Sequence, residues 1–189
     1  METYHLEVCG VTRELPFVPI SDTMAFASFV IISDTELISA CAGPLAEKIG
    51  PVDAIVTPEA KGIALAYEVS RRLGLKDFIV VRKSVKSYMK DYVSEEVRSI
   101  TTKGVQHLYL DRAAADKIRG RRVCVLDDVI STGESLRAVE SLVKKAGADV
   151  TCRAAVLAEG EAADRRDIVF LQKLPLFSVD ASGAHTAID

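Results

Sequence analysis

From residue 51 onward, short apolar runs rich in β-branched residues alternate with segments whose apolar positions recur at helical spacing. The pattern predicts strands over residues 53–57 (DAIVT), 78–82 (FIVVR), 105–110 (VQHLYL), 123–126 (VCVL) and 149–157 (DVTCRAAVL). Helices are predicted over 36–49 and 62–73, the second stopping at Gly74. A further helix follows residue 135, with Leu136, Val139, Leu142 and Val143 on one stripe, a possible Glu140 to Lys144 pair, and Gly147 as its stop. Strands that alternate with helices imply an α/β fold, a mostly parallel twisted sheet flanked by helices. In such sheets ligands bind outside the carboxyl ends of the strands.

Two segments break the alternation. Residues 1–35 hold strand-like pieces (YHLEV, FASFVII) and read as a small appendage or lid ahead of a core over 36–177. Residues 83–103 (KSVKSYMKDYVSEEVRSITTK) are long for a structureless connection, and a mobile flap or an extended hairpin would explain them. Glu95, Glu96 and Arg98 read as a solvated face of that flap, with Glu95 able to approach a site on closure. The small, polar residues 178–189 are expected to fray.

At 189 residues and 49% hydrophobic content, the chain suits one domain with a substantial core. A formal charge of -3 supplies no broad basic field, so nucleic acid is not the expected partner. Cys9, Cys41, Cys124 and Cys152 are dispersed, without metal-ligand spacing, and read as buried reduced thiols. The first residues show no basic stretch leading into an apolar one, and no apolar run reaches membrane-spanning length. These features lead to the expectation of a cytoplasmic protein without membrane contact. His107 reads as a strand residue that packs, and His5 and His185 lie near the termini.

Chemistry concentrates at 123–135, VCVLDDVISTGES. An apolar strand ends in two adjacent carboxylates, Asp127 and Asp128, whose repulsion and desolvation require compensation. The loop that follows carries Ser131, Thr132 and Ser135 around Gly133 at the start of a helix, which makes a phosphate cradle. The paired carboxylates suit the two hydroxyls of a ribose, or magnesium held partly through water. On residue chemistry alone, the same groups could equally cap the turn. The loop is not a Walker A motif, because no Gly-Lys-Ser/Thr follows the glycine.

The order of residues in this stretch closely resembles the phosphoribosyl-pyrophosphate (PRPP) loop of type I phosphoribosyltransferases, softened only by Ser135 where threonine is commoner. The resemblance extends over roughly residues 20–160. It implies that Asp127 and Asp128 hold the ribose hydroxyls, and that Val129, Ile130, Ser131, Thr132, Gly133, Glu134 and Ser135 receive the 5'-phosphate. The segment TPEAKGIALA resembles the family's pyrophosphate loop, often shaped by a cis peptide, with Glu59, Ala60, Lys61 and Gly62 as its members. Arg82 and Lys83 resemble the Arg-Lys pair at the edge of that site, and Lys86, Ser87 and Tyr88 belong to the flexible loop that closes over PRPP. The implied reaction is displacement of magnesium-bound pyrophosphate from PRPP by a ring nitrogen, through a transition state of oxocarbenium character.

The identity of the base depends on departures from the family's patterns. Ser131 stands where hypoxanthine-guanine enzymes carry an aspartate, and a serine is no acid or base of similar pKa. Around AVLAEG the oxo-reading lysine of many 6-oxopurine enzymes is missing, and Glu159 and Gly160 occupy the region. MAFASF resembles the hood of adenine and xanthine enzymes, placing Phe26, Ala27 and Ser28 with Glu159 at the base pocket. Against adenine, Ala27 stands where an arginine is commoner, and PEAKG resembles xanthine enzymes. The resemblance thus implies a purine-branch homodimer that converts adenine and PRPP to AMP and pyrophosphate with Mg2+. A xanthine or hypoxanthine enzyme, or a PRPP-sensing regulator without turnover, stands as the alternative.

Overall fold

The structure is a computed structural model that describes residues 2–98 and 105–188. Its core is a five-stranded parallel sheet. The strands are β4 (Ala54–Pro58), β5 (Ile79–Val81), β8 (Arg122–Ile130), β9 (Asp149–Glu159) and β10 (Val169–Leu174), in the order β10-β9-β8-β4-β5. β8 is central and apolar along most of its length because both of its faces are covered. Cys124 and Leu126 join one core layer, with helices α1 (Thr35–Ile49) and α2 (Ile63–Arg72). Val123 and Val125 join the other, with α3 (Arg112–Ile118) and α4 (Glu134–Lys145).

The expected strands and helices fall where the pattern places them, with one difference in pairing. β7 (Val105–Asp111) does not enter the parallel sheet; it pairs antiparallel with β6 (Tyr92–Arg98). The segment after Lys83 is therefore built partly as the hairpin that was one of its two expected forms, and its part at 99–103 lies outside the described residues. The hairpin lies against α4, where Lys145 Nζ stands 2.5 Å from Glu95 Oε2 and 3.3 Å from the Ser94 carbonyl. Glu95 is thereby tied to α4, on the layer opposite α1 and α2, rather than free to approach a ligand.

The appendage is a second five-stranded sheet, and it takes strands from both ends of the chain. Its order is β1-β2-β3-β11-β12, from β1 (Thr3–Val8), β2 (Val11–Ser21), β3 (Met24–Ala27), β11 (Leu176–Val179) and β12 (His185–Ile188). Of residues 178–189, expected to fray, 178–188 instead supply the end of β11 and all of β12. The reason is packing that composition hides: His185 stacks on Phe17 at 3.9 Å between ring centroids, and Phe17 meets Phe177 at 4.8 Å. Cys9 is also corrected. It is exposed at the turn between β1 and β2, where Cys9 and Gly10 both take the positive φ that a two-residue hairpin needs. Cys41 and Cys124 are buried and Cys152 half-buried, and all four thiols are free. Among the described residues no helix is long and apolar enough to cross a membrane.

Candidate active site

The carboxyl ends of β4, β8 and β9 open into a cavity of about 370 Å³, roofed by the second sheet. Its polar side is lined by Glu59, Ala60, Lys61, Lys83, Asp127, Asp128, Ser131 and Ser135. Phe26, Ala27, Phe29, Leu108, Val129 and Leu174 supply apolar lining, and Ser28 and Glu159 line it as well. The fold thus gathers residues from most of the segments singled out in the sequence into one space. Phe29, Pro58, Leu108 and Leu174 also line it and were not foreseen, since each reads as ordinary core in the linear pattern.

Asp127 and Asp128 stand on the last part of β8. Asp127 Oδ1 accepts the Asp128 N–H at 2.9 Å. Asp128 is 4% exposed, and its Oδ2 has no hydrogen-bond partner in the protein. Burial raises both pKa values above the ordinary carboxylate range; Asp128 adds to the effect on Asp127, while the Lys61 ammonium pulls in the other direction. Lys61 Nζ lies 3.9 Å from Asp128 Oδ2. A buried acceptor aimed into a cavity without a partner calls for one from a ligand.

Around the next turn, Gly133 has φ of 77° and caps α4. This positive φ requires glycine, and a Cβ there would also lie 2.6 Å from Arg165 Nη1 and displace that side chain. The backbone amides that open α4 face the loop end, where a helix N-terminus favours an anion. Arg137 and Arg165 bring guanidinium groups beside Gly133, and Arg165 is held by two hydrogen bonds to Asp167. Nothing in the 123–135 motif points to Arg165, which arrives from a distant turn. Ile130 and Gly133 are buried in this loop, Thr132 is exposed, and Glu134 is half-buried.

The 59–62 turn is built differently from a simple strand-to-helix connection. The Glu59–Ala60 peptide bond is cis. Glu59 Oε1 accepts the Lys83 N–H at 2.6 Å, and Oε2 accepts from Arg82 Nη1 at 3.2 Å; Lys86 Nζ stands 3.6 Å away. These contacts hold the Glu59 carboxylate below its ordinary pKa despite its burial. Glu59 therefore fastens the end of β4 to the chain after β5, and Arg82 is engaged by it within the same chain. Gly62 packs inward, where an added Cβ would lie 2.4 Å from Thr57 Oγ1 and 3.4 Å from Asp127 Oδ1. Ser87 and Tyr88 are exposed on a turn pinned by the buried Met89, whose N–H reaches the Lys86 carbonyl at 2.9 Å. Neither lines the cavity.

A hard cation fits this donor set in one specific way. Among the described residues no group of three or more His, Cys, Asp or Glu could hold a metal alone. Two carboxylates, one with an unmet buried oxygen, suit an ion that keeps most of its shell as water and ligand oxygens, as Mg2+ does.

Comparison with known proteins agrees with this geometry. Residues 35–185 match the model of the phosphoribosyl transferase domain. The chain belongs to the phosphoribosyltransferase family. A hypoxanthine/guanine phosphoribosyltransferase of Methanothermus fervidus is 36% identical over 110 residues, 58% of this chain and 54% of the relative. An adenine phosphoribosyltransferase of Thermotoga petrophila is 38% identical over 98 residues, 52% and 54% of the two chains. These matches span only about half the length of each relative. The match to the adenine phosphoribosyltransferase of Thermosipho africanus is broader, 30% identity over 73% of this chain and 79% of that one. In fold, the chain resembles the adenine phosphoribosyltransferase of Thermoanaerobacter pseudethanolicus, with a TM-score of 0.69 and 24% identity over 84% and 95% of the two chains. The Saccharomyces cerevisiae enzyme, solved with adenine and an imino-altritol bisphosphate, gives 0.65 and 22% identity over 84% and 92%. The matched residues 35–185 include the parallel core and the loop around Gly133.

Proposed function

We propose that the chain is a purine phosphoribosyltransferase that transfers the ribose 5-phosphate of PRPP to adenine, giving AMP and pyrophosphate. The observation that carries this reading is the meeting of three features in one cavity: the Asp127–Asp128 pair, the anion-binding start of α4, and an apolar wall under Phe26 and Phe29. In it, Asp127 and Asp128 hold the ribose hydroxyls, and residues 129–135 receive the 5'-phosphate. Lys61 and Lys83, with the amides of 60–62, receive the diphosphate. Phe26, Phe29 and Leu174 cover the base and keep water from the anomeric carbon. When bound, Mg2+ would neutralise the charge that builds on the departing diphosphate. Every other contribution is positioning and fixed charge, with no covalent nucleophile.

Lys86, Ser87 and Tyr88 enter the reading as contacts that form only if the 83–91 segment moves over PRPP. A homodimer, a cytoplasmic setting and independence of nucleic acid go with it. The oxopurine alternative is favoured by the 36% identity to a hypoxanthine/guanine enzyme, beside Ala27 and the PEAKG segment. Nucleotide formation from PRPP, Mg2+ and each of adenine, hypoxanthine, guanine and xanthine separates the two. AMP as the main product supports the reading, IMP, GMP or XMP replaces the base, and PRPP binding without product points to a sensor.

A further inference from the structure

Sheet order gives the cavity a direction. β8 carries the Asp127–Asp128 pair, β4 lies on one side of it and β9 on the other. Lys61 and Lys83 come from the β4 and β5 side. Glu159 comes from the far end of β9. The pairing runs Val129 to Leu157 and Ile130 to Ala158, which leaves Glu159 beside Ser131, past the carboxylate pair. On its other side Glu159 pairs with Leu174, and a Cβ added at Gly160 would lie 3.1 Å from Leu176, the residue that pairs with Phe26. Glu159 therefore stands where the parallel sheet meets the roof, beside Leu174 of the cavity wall and across β8 from the β4 turn that carries Lys61.

Its surroundings among the described residues give it no ion-pair partner. Glu59, the other glutamate of the cavity, is satisfied by Arg82 and Lys83. Among the described residues Glu159 has no ion pair; Ser131 is the side chain beside it that can donate a hydrogen bond, and the Lys61 ammonium acts on it only through its charge. When a flat apolar ring closes over this carboxyl and expels water, its remaining oxygen must find an N–H or bear the cost of burial without one. An amino group on the ring supplies that hydrogen, whereas a carbonyl at the same place sets oxygen against oxygen.

We propose that Glu159 reads the base directly, accepting an N–H from a ring amino group, so that the site takes aminopurines in preference to purines with an oxygen there. This rests on the transferase reading above for the placement of the base, and it adds the residue that decides specificity.

The test measures calorimetric binding of AMP, IMP and ribose 5-phosphate to the full chain and to Glu159→Leu and Glu159→Gln, alongside nucleotide formation. The wild type is expected to favour AMP over IMP by about tenfold or more. In Glu159→Leu that ratio falls to within about threefold while ribose 5-phosphate binding holds, which also shows that the variant folds. Glu159→Gln shifts the ratio toward IMP, because its amide can donate to the oxygen. An unchanged AMP to IMP ratio in both variants, or a wild type that favours IMP or binds neither, overturns the proposal. A wild type that binds AMP selectively through Glu159 yet forms no nucleotide refutes the transferase and leaves the base reader standing.

Discussion

Lys61 Nζ stands 3.9 Å from the buried Asp128 Oδ2, and the two groups, one on the turn after β4 and the other on β8, are brought together by the neighbouring of β4 and β8. Lys61 is half in solvent, so the contact tempers the burial of Asp128 without removing its cost. A carboxylate kept under these conditions is expected to serve a ligand.

Asp128→Asn should therefore separate function from stability. The nucleotide-forming rate, read as kcat/KM for PRPP, is expected to fall by roughly 100-fold or more. The raised folded-state pKa of Asp128 contributes stability that is full below the ordinary carboxylate range and is lost as pH rises through the folded value. The variant is thus expected to melt at or above the wild-type temperature at pH 8 and to lose that advantage near pH 4. Thermal melts across this range check the sign.

Glu59→Ala removes the fastening between the ends of β4 and β5. It leaves the Lys83 N–H and the half-buried Arg82 without their acceptor, at a cost of about 1–3 kcal/mol in urea unfolding. KM for PRPP is expected to rise more than kcat falls, since Lys83 loses its placement before the reacting atoms lose theirs.

At the entrance to α1, Asp34 accepts the Leu37 N–H at 3.0 Å and pairs with Arg13 of β2 at 2.6 Å. Arg13 holds the Asp34 carboxyl below its usual pKa, so this stability is present above the unfolded value of about 3.9 and is lost as pH falls through the folded one. Asp34→Ala should cost about 1–2 kcal/mol at pH 7, and Asp34→Asn less, because the amide oxygen can still cap the helix. Urea midpoints at pH 7 and near pH 2.5 test this, and the wild-type advantage over Asp34→Asn is expected to shrink at the lower pH.

His185→Ala tests whether the C-terminal strand holds the roof. Loss of the stack on Phe17 is expected to cost about 1 kcal/mol and to raise KM for the base before that for PRPP. Equal KM values in variant and wild type would show the roof to be indifferent to β12.

Much of this was decided by the sequence alone, and for local reasons. The apolar run before Asp127, the hydroxyl loop around Gly133 and the stripe from Leu136 to Val143 are contiguous, so strand, cradle and helix can be read in order. Their shared place at the carboxyl end of a parallel strand follows from the alternation of elements. The tertiary structure decided what depends on contacts between distant residues. It placed residues 176–188 in the roof through Phe17, Phe177 and His185, and kept β7 out of the main sheet. It turned Glu59 into a fastening and brought Arg165 to Gly133. No linear pattern encodes these, because burial and pairing between residues far apart in sequence are fixed only when the two sheets close around the cavity.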